Sequence, residues 1–489
     1  MILLAISDII VEIHFQFSLK AIVVTSIIYF LIYLFFVVKG YFNIVRSSVL
    51  DMVSANRQNE YMREKQWVLT LKAIVGIVIL GVGFFLAVKD GGLAVTGNVF
   101  AAVILVIIGV YLLFGGFLPL FFQYLVERKS FLYKKSRTLW INNIVFRIKK
   151  NYRTYAIVCV LMLCSVTALA TGFAMKNKYD SIKHFRTMYS LQLMSSLNNL
   201  EDKSKSIIEE DNKIALETQA PILAIDKSKI SGCNNGDMIV FCDYSQMKQI
   251  AKAANLDFDV SEPRDNEVIE VSSVIVMSLA NNIKGQKIVV GGNHYREVAE
   301  IHTTFLGSLQ EQMSLYMVNT KQYHKLLQNG QELYTYNYKI NNPNNFAISR
   351  DKLNAMLTNN QKAFTATIAI DPNDDELAWL KVFFSICVFM FMVFILASGC
   401  ALYMKLYNDA FDEKERYFTM QKMGFETSKL HQGIRMELLT SYMMPFLVMT
   451  IGSYFSVHAL EKMMMTKLLP INIVSVLATL IVFAIFYVS

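Results

Sequence analysis

The sequence predicts an α-helical polytopic membrane protein with seven spans and one large extracellular α/β domain inserted between spans four and five. Of the 489 residues, 54% are hydrophobic and 18% are charged, whereas soluble proteins carry roughly a quarter charged residues. Charge-poor runs that reach the ~20 residues of a membrane helix recur along the chain. One long polar segment separates the fourth run from the fifth. These features exclude a soluble enzyme, a disordered protein and a coiled-coil rod.

The runs divide the chain into three predicted parts. Residues 1–176 are expected to form a membrane region of four spans, 177–375 the extracellular domain, and 376–489 a membrane region of three spans. The spans are expected at about 19–38, 68–88, 98–126, 154–175, 378–404, 438–460 and 468–488. The glycines and Pro119 of the third run favour a bend, and Pro445 lies inside the sixth.

Charge sets the predicted orientation. Residues 177–375 hold 20 Lys and Arg against 24 Asp and Glu, and the rest of the chain holds 27 against 15. The most basic loop joins the third and fourth runs and contains, against Glu127 alone, Arg128, Lys129, Lys134, Lys135, Arg137, Arg147, Lys149, Lys150 and Arg153. Cytoplasmic loops are enriched in Lys and Arg. This loop is therefore predicted to be cytoplasmic and residues 177–375 extracellular, with no basic face of the kind that binds nucleic acid.

The first residues do not fit a signal peptide. Residues 1–17 carry Asp8 and Glu12 but no basic residue before their apolar run. The alternation of loops puts this end of the chain outside the cell, where it has no preceding span to help its insertion. We therefore expect a chain that lacks its beginning.

Residues 177–375 predict one mixed α/β domain or two small ones. Strands are expected at 220–224, 238–242, 287–290, 315–318, 332–340 and 363–370, and helices at 245–254, 321–328 and 350–357. Residues 177–194 have a helical composition that predicts a stalk continuing the fourth span. Cys233 and Cys242 are compatible with a disulfide or with two free thiols.

This domain carries no catalytic motif and no zinc-ligand spacing. Its scattered histidines are expected to be structural or surface residues, and they are His184, His294, His302 and His324. Lys178, Lys183 and Arg186 lie just outside the fourth span. They are compatible with contact to the phosphate of a lipid ligand or with an ordinary solvated stripe at a helix end.

The segment between the fifth and sixth runs carries the clearest pattern. From Phe411 it reads FDEKERYFTMQKMGFETSKL, which predicts a short charged helix with Tyr417, Met420 and Met423 on one stripe. Gly424 suits a left-handed helix stop, and Thr427 or Ser428 is expected to cap a second helix that runs into the sixth span. A charged helix, a glycine turn and a helix continuous with a span would act as a lever.

The sequence KERYFTMQKMGFETSKLHQGIRMELL, which starts at Lys414, resembles the signature of FtsX-like permeases, the membrane subunits of ABC transporter complexes. The four-span block, the large outer segment and the three closing spans are similar to the bacitracin- and lantibiotic-resistance (BceB-type) permeases, as are VSANRQNE at 53–60 and residues 149–173. Members of that family have ten spans, so the resemblance implies that three N-terminal spans are lacking here.

The resemblance implies a function and its partners. The coupling helix that docks on a cytoplasmic ABC ATPase would comprise Lys414, Glu415, Arg416, Tyr417, Met420, Met423 and Gly424. The chain would recognise an antimicrobial peptide, or its complex with a lipid carrier, at the surface of a Gram-positive cell, and would report to a membrane histidine kinase. No cofactor or metal is implied.

ATP binding is expected in a separate subunit, because the sequence contains no P-loop motif. The centres of the spans also lack the charged residues that ion-coupled carriers use. A second hypothesis is an FtsX-like regulator of cell-wall hydrolysis that is coupled to an ATPase but moves no substrate. A membrane enzyme has no catalytic residues to support it.

Overall fold

A computed structural model describes residues 18–46, 66–89, 95–128, 137–232, 238–273, 287–358, 365–373 and 376–488. Two features of the sequence lie outside these residues, the VSANRQNE segment at 53–60 and Cys233. Cys242 is buried with a free thiol that donates a weak hydrogen bond to the carbonyl of Tyr316.

The described residues contain seven helical segments long and apolar enough to cross a membrane, as predicted. The chain is thus a multi-pass membrane protein. The helices in and beside the membrane are α1 Leu19–Arg46, α2 Gln66–Val88, α3 Val95–Leu112, α4 Leu118–Glu127, α5 Arg137–Arg186, α10 Ala378–Lys422, α11 Thr427–Met464 and α12 Leu469–Val488. Helix α11 continues through Pro445.

The α-helical hydrogen bonding of the third span changes at the glycines from which a bend was predicted. A π-helical turn at Leu113–Phe117 joins α3 to α4. Glycine lets this span approach its neighbours closely: a Cβ at Gly116 would stand 2.6 Å from the backbone nitrogen of Ala73, and one at Gly109 would stand 2.5 Å from Leu80. Such small residues favour helix association where lipid provides no hydrophobic drive.

The fourth span is the central helix of the membrane region. Helix α5 has 50 residues, which corresponds to about 75 Å. It packs against α10 and α11, and its residues Ala156, Cys159 and Met162 are fully buried in the membrane core. Since a bilayer core is about 30 Å thick, α5 extends beyond the membrane.

The segment between α5 and α10 forms a mixed α/β fold, here called the sheet domain (residues 191–369). Its strands are β1 Leu191–Ser195, β2 Ile214–Ile225, β3 Ile230–Ser231, β4 Met238–Asp243, β5 Glu267–Val271, β6 Lys287–Val290, β7 Asn293–Ile301, β8 Met313–Val318, β9 Gln331–Ile340 and β10 Thr365–Ala369. Its helices are α6 Glu201–Glu209, α7 Tyr244–Ala253, α8 Thr320–Leu326 and α9 Phe346–Thr358. The described strands form one sheet in the order β10-β1-β9-β2-β4-β8-β5-β7-β6-β3.

All six predicted strands and all three predicted helices of this region are present, whereas β1, β3, β5, β7 and α6 were not predicted. The stalk prediction is right for residues 177–186 and wrong for 191–194. Leu, Gln and Met favour helices, but β1 pairs with β9 on one side and β10 on the other. All five of its residues are buried, so tertiary pairing overrides local propensity.

Direct contacts join the end of α5 to the sheet domain. The guanidinium of Arg186 binds the carboxylate of Glu311 through two bonds, Nε to Oε1 at 2.9 Å and Nη2 to Oε2 at 3.1 Å. Tyr189 donates to the carbonyl of Phe305 at 3.2 Å and accepts from Thr218 at 2.8 Å. Burial raises the pKa of the Tyr189 phenol to about 12. The fourth span and the sheet are therefore firmly connected.

Candidate functional site at the junction of the fifth and sixth spans

The segment after the fifth span differs from the prediction in one respect. It is not a separate short helix, because α10 runs without a break for 45 residues, from Ala378 to Lys422. No proline or glycine lies between Gly399 and Gly424. The rings of Tyr403, Tyr407 and Phe411 follow one another at 6.3 and 6.2 Å along one helix face. At about 68 Å, α10 projects well beyond a bilayer core.

Gly424 ends this helix as predicted. Its φ is +90°, in the left-handed region that glycine tolerates. Its N–H donates to the carbonyl of Gln421 at 3.1 Å, and the N–H of Phe425 donates to the carbonyl of Met420 at 3.2 Å. This pair of bonds is a Schellman motif. A Cβ at Gly424 would meet no atom within 4 Å, so conformation and not space requires glycine here.

The start of α11 corrects a second prediction. Its N-cap is Glu426, and Thr427 is already the first helical residue, so neither Thr427 nor Ser428 caps it. The carboxylate of Glu426 accepts a hydrogen bond from the Ser428 hydroxyl at 3.0 Å and pairs with Lys429 at 3.0 Å. Lys429 and Ser428 together lower the pKa of this carboxyl. The acidic side chain also suits the positive end of the helix dipole.

The predicted stripe is only partly buried. Tyr417 and Met420 are half-buried, whereas Met423 is 67% exposed at the tip of the turn. The phenol of Tyr417 donates to Oε2 of Glu437 at 3.1 Å. Glu437 is buried on α11, where the sixth span begins. The stripe therefore contacts the second helix through the hydrogen bond between Tyr417 and Glu437.

The charged residues of the predicted element face outward. Lys414, Glu415 and Arg416 are exposed. Between the two helices lies a groove of about 590 Å³, lined among others by Lys414, Tyr417, Gln421, Thr427, Leu430 and His431. Beside it, Phe418 and Phe425 are 56% and 44% exposed. An apolar surface rimmed by charge, on a part of the chain that projects from the membrane, is typical of a protein-binding site.

A buried polar cluster missed in the sequence fixes α10 against the fourth span. The side-chain amide of Asn151 on α5 donates to Oδ2 of Asp409 at 2.9 Å, and the ammonium of Lys405 lies 3.0 Å from Oδ1. Asn151 and Asp409 are 6% and 5% exposed. The sequence signal that could have revealed part of this cluster is Asp409 four residues after Lys405, directly after the apolar run of the fifth span. Its partner is 258 positions away, which no local pattern reveals.

The other candidates from the sequence do not assemble into a site. The four histidines are exposed, and no group of three or more potential metal ligands occurs in the part of the chain that the structure describes. The C-terminal end of α10 and the Gly424 turn are separated from the sheet domain by the fifth span, which α10 itself forms. The polar cluster and the Arg186 contacts connect these two regions through α5.

Comparison with known proteins gives three informative relatives; no family model matches the chain. Bacitracin export permease protein BceB of Bacillus subtilis is 22% identical over 94% of this chain and 73% of its own length. ABC transporter permease protein YxdM of the same organism is 21% identical over 80% and 62%, respectively. The BceB protein of Halalkalibacterium halodurans is 21% identical over 91% and 71%.

These alignments cover most of the chain, including both membrane regions and the sheet domain between them. The chain spans from 62% to 73% of the length of these relatives. Relatives named as ABC permeases imply an ATPase partner subunit. In sequence, over most of its length, the chain is similar to BceB-type ABC transporter permeases, and the structure has seven membrane helices with a sheet domain inserted after the fourth.

Proposed function

We propose that this chain is the membrane subunit through which a cytoplasmic ATPase moves the sheet domain, in a complex that recognises antimicrobial peptides at the cell surface and confers resistance to them. The observation that carries the proposal is the end of α10, a rigid helix that leaves the membrane, stops at Gly424 and returns as the sixth span. Lys414, Glu415 and Arg416 would present their charges to the ATPase.

Two contacts of α10 with neighbouring helices support a lever. Tyr417 ties the projecting part of α10 to Glu437, and Asp409 ties the same helix to Asn151. A push on the tip would therefore reach the sixth span and the fourth span together. Helix α5 continues without a break to Arg186, and Arg186 binds Glu311 of the sheet domain. The movement would therefore reach the sheet domain without a flexible link.

The substrate class is supported by the relatives and not by a pocket. Two of them are named for export of bacitracin, a peptide antibiotic. The sheet domain is the largest part outside the membrane and is the natural candidate to meet a peptide, with the orientation predicted from loop charges. Under the same proposal, a sensor histidine kinase would receive the signal of transport.

The first experiment tests docking. The cognate ATPase is co-purified with wild-type protein, with Gly424→Pro and with Glu415→Lys/Arg416→Glu. Proline cannot adopt φ +90° and removes the N–H that binds Gln421, and reversed charges oppose the partner's complementary surface. We expect association to fall by about tenfold or more. Arg46→Glu, an exposed charge change at the end of α1, is the matched control; unchanged association of the first two variants would reject the proposal.

The second experiment tests the substrate class. Cells carrying the Gly424→Pro variant should show a lower inhibitory concentration of bacitracin than wild-type cells, with normal division. An unchanged inhibitory concentration together with filamentous cells would favour the regulator of cell-wall hydrolysis instead.

A further inference from the structure

The sheet ends in two edges of different length. Strand β3, at one edge, has two residues, whereas β10, at the other edge, has five. Within the part of the chain that the structure describes, β10 pairs with β1 on one side and no strand pairs with its other side. An edge strand presents a row of backbone donors and acceptors that a further strand can satisfy. This second side of β10 is here called the outer edge.

The register shows which backbone groups point to the outer edge. The N–H of Ile370, directly after β10, donates to the carbonyl of Ser190, directly before β1, at 2.9 Å. In an antiparallel pair, alternate residues direct their N–H and C=O groups to the same neighbouring strand. The two even-numbered residues of β10 therefore face β1. The backbone groups of the other three point to the outer edge, and these residues are Thr365, Thr367 and Ala369.

The outer edge lacks the features by which proteins prevent pairing at a strand edge. Lysine, proline and bulges have that effect, but the sequence TATIA of β10 contains neither lysine nor proline, and its register with β1 has no shift. Thr367 is exposed, and its hydroxyl donates to Oδ1 of Asn354 on α9 at 3.2 Å. This side chain is thus directed to a face of the sheet and leaves the edge accessible.

The outer edge begins close to the two spans that carry the sheet domain. Leu191 of β1 follows the last residue of α5 by five positions, and its register partner Ala369 precedes the first residue of α10 by nine. From Ala369 the edge extends over about 13 Å of strand to Thr365. A ligand near the membrane surface could therefore reach this edge.

We propose that the outer edge of β10 binds the main chain of an extended peptide, which is added to the sheet as a further strand. The inference rests on the proposed function, under which the sheet domain recognises a peptide. Strand addition takes its affinity from main-chain hydrogen bonds and its specificity from alternate side chains. The three outward residues each offer one N–H donor and one C=O acceptor, which are the groups that an extended peptide matches.

The first test measures amide hydrogen exchange in the full wild-type chain in detergent, with and without bacitracin. Exchange is resolved to single residues by mass spectrometry with electron-transfer fragmentation. Bound bacitracin should slow the exchange of the outward amides of Thr365, Thr367 and Ala369 by about tenfold. Amides that already face β1 should change less. Unaltered exchange of the three outward amides, with bacitracin bound, would overturn the proposal.

The second test removes one outward donor. In Thr367→Pro the N–H is lost, but proline is tolerated in an edge strand whose N–H faces away from the sheet, so the pairing with β1 should persist. Affinity for bacitracin should fall by about tenfold or more, because a hydrogen bond is lost and the proline ring obstructs the peptide. Thr367→Val is the matched control: it keeps the N–H and should bind as the wild type does.

Equal affinity of Thr367→Pro and the wild type would reject strand addition; if this variant misfolds, the exchange of the wild type decides. Binding of bacitracin without slowed exchange at the outer edge would reject only this proposal and leave peptide recognition intact. Absence of bacitracin binding to the wild type would reject both. Protection of the same amides that grows with protein concentration, without bacitracin, would assign the edge to a second copy of this chain and overturn the proposal.

Discussion

The phenol of Tyr417 and the carboxylate of Glu437 are joined by a hydrogen bond of 3.1 Å across the Gly424 turn. The two residues are 20 positions apart, one on the projecting part of α10 and the other at the start of the sixth span. Glu437 is 2% exposed, so its carboxyl group depends on neighbouring polar groups and not on solvent for hydrogen bonds. The bond restrains the end of α10 against the start of α11, so the two helices are expected to move together.

Removal of the Tyr417 hydroxyl should weaken the contact between α10 and α11. Tyr417→Phe takes a hydrogen bond from a buried carboxyl group, a loss of about 1–3 kcal/mol. We expect faster amide exchange across residues 411–434, measured by mass spectrometry. Tyr407→Phe, the same change at a side chain that is 54% exposed, should leave exchange unaltered. Equal exchange in both variants would show that the bond does not hold the helices together.

The glycine turn should respond to a single methyl group. Gly424→Ala must adopt φ +90°, which costs an L-residue about 1–2 kcal/mol, although the added Cβ meets no atom within 4 Å. The thermal unfolding midpoint in detergent should fall. Gly81→Ala is the matched control, since its Cβ also has free space and alanine favours the helix. A midpoint that falls only in the control would contradict this account of the turn.

The contact between the fourth and fifth spans should behave as a coupled pair. Asn151→Ala and Asp409→Ala each leave a buried polar partner without its bond, and the double variant removes both. The cycle of unfolding free energies should give a coupling of about 0.5–3 kcal/mol. Strictly additive effects would mean that the bond of 2.9 Å contributes no stability of its own.

Stability of the sheet domain should depend on pH through Glu297. Burial, with the neighbouring carboxylates of Glu270 and Glu300, raises the pKa of the Glu297 carboxyl from 4.5 to about 7. The folded state therefore holds a proton that the unfolded chain releases above pH 4.5. This contribution to stability is complete below about pH 4.5 and is lost as the pH rises through about 7.

Glu297→Gln removes that titration. We expect amide exchange in β5 and β7 to accelerate between pH 5 and 8 in the wild type, beyond the intrinsic chemical rate, and to show less of this excess in the variant. Glu262→Gln, an exposed acid in the same domain, should behave as the wild type. A variant that retains the full excess would assign the pH dependence to other groups.

Local sequence patterns determined a large part of this architecture. The spans were predictable because a run of apolar residues has one stable environment in a bilayer, whatever surrounds it. Gly424 was predictable as a helix end because a left-handed conformation strongly favours one residue type. Alternating or periodic apolar residues likewise identified β4, β9 and α7 in the sheet domain.

Other features were decided only by tertiary structure. Leu191 and Leu193 lie in a strand and not in a stalk helix, because β9 and β10 supply their hydrogen bonds from positions more than 140 residues away. Asp409 meets Asn151, and Lys381 meets Tyr179, for the same reason. Hydrophobicity and turn chemistry are properties of a short segment, whereas a buried polar contact requires two segments to arrive together, and only the folded chain specifies that meeting.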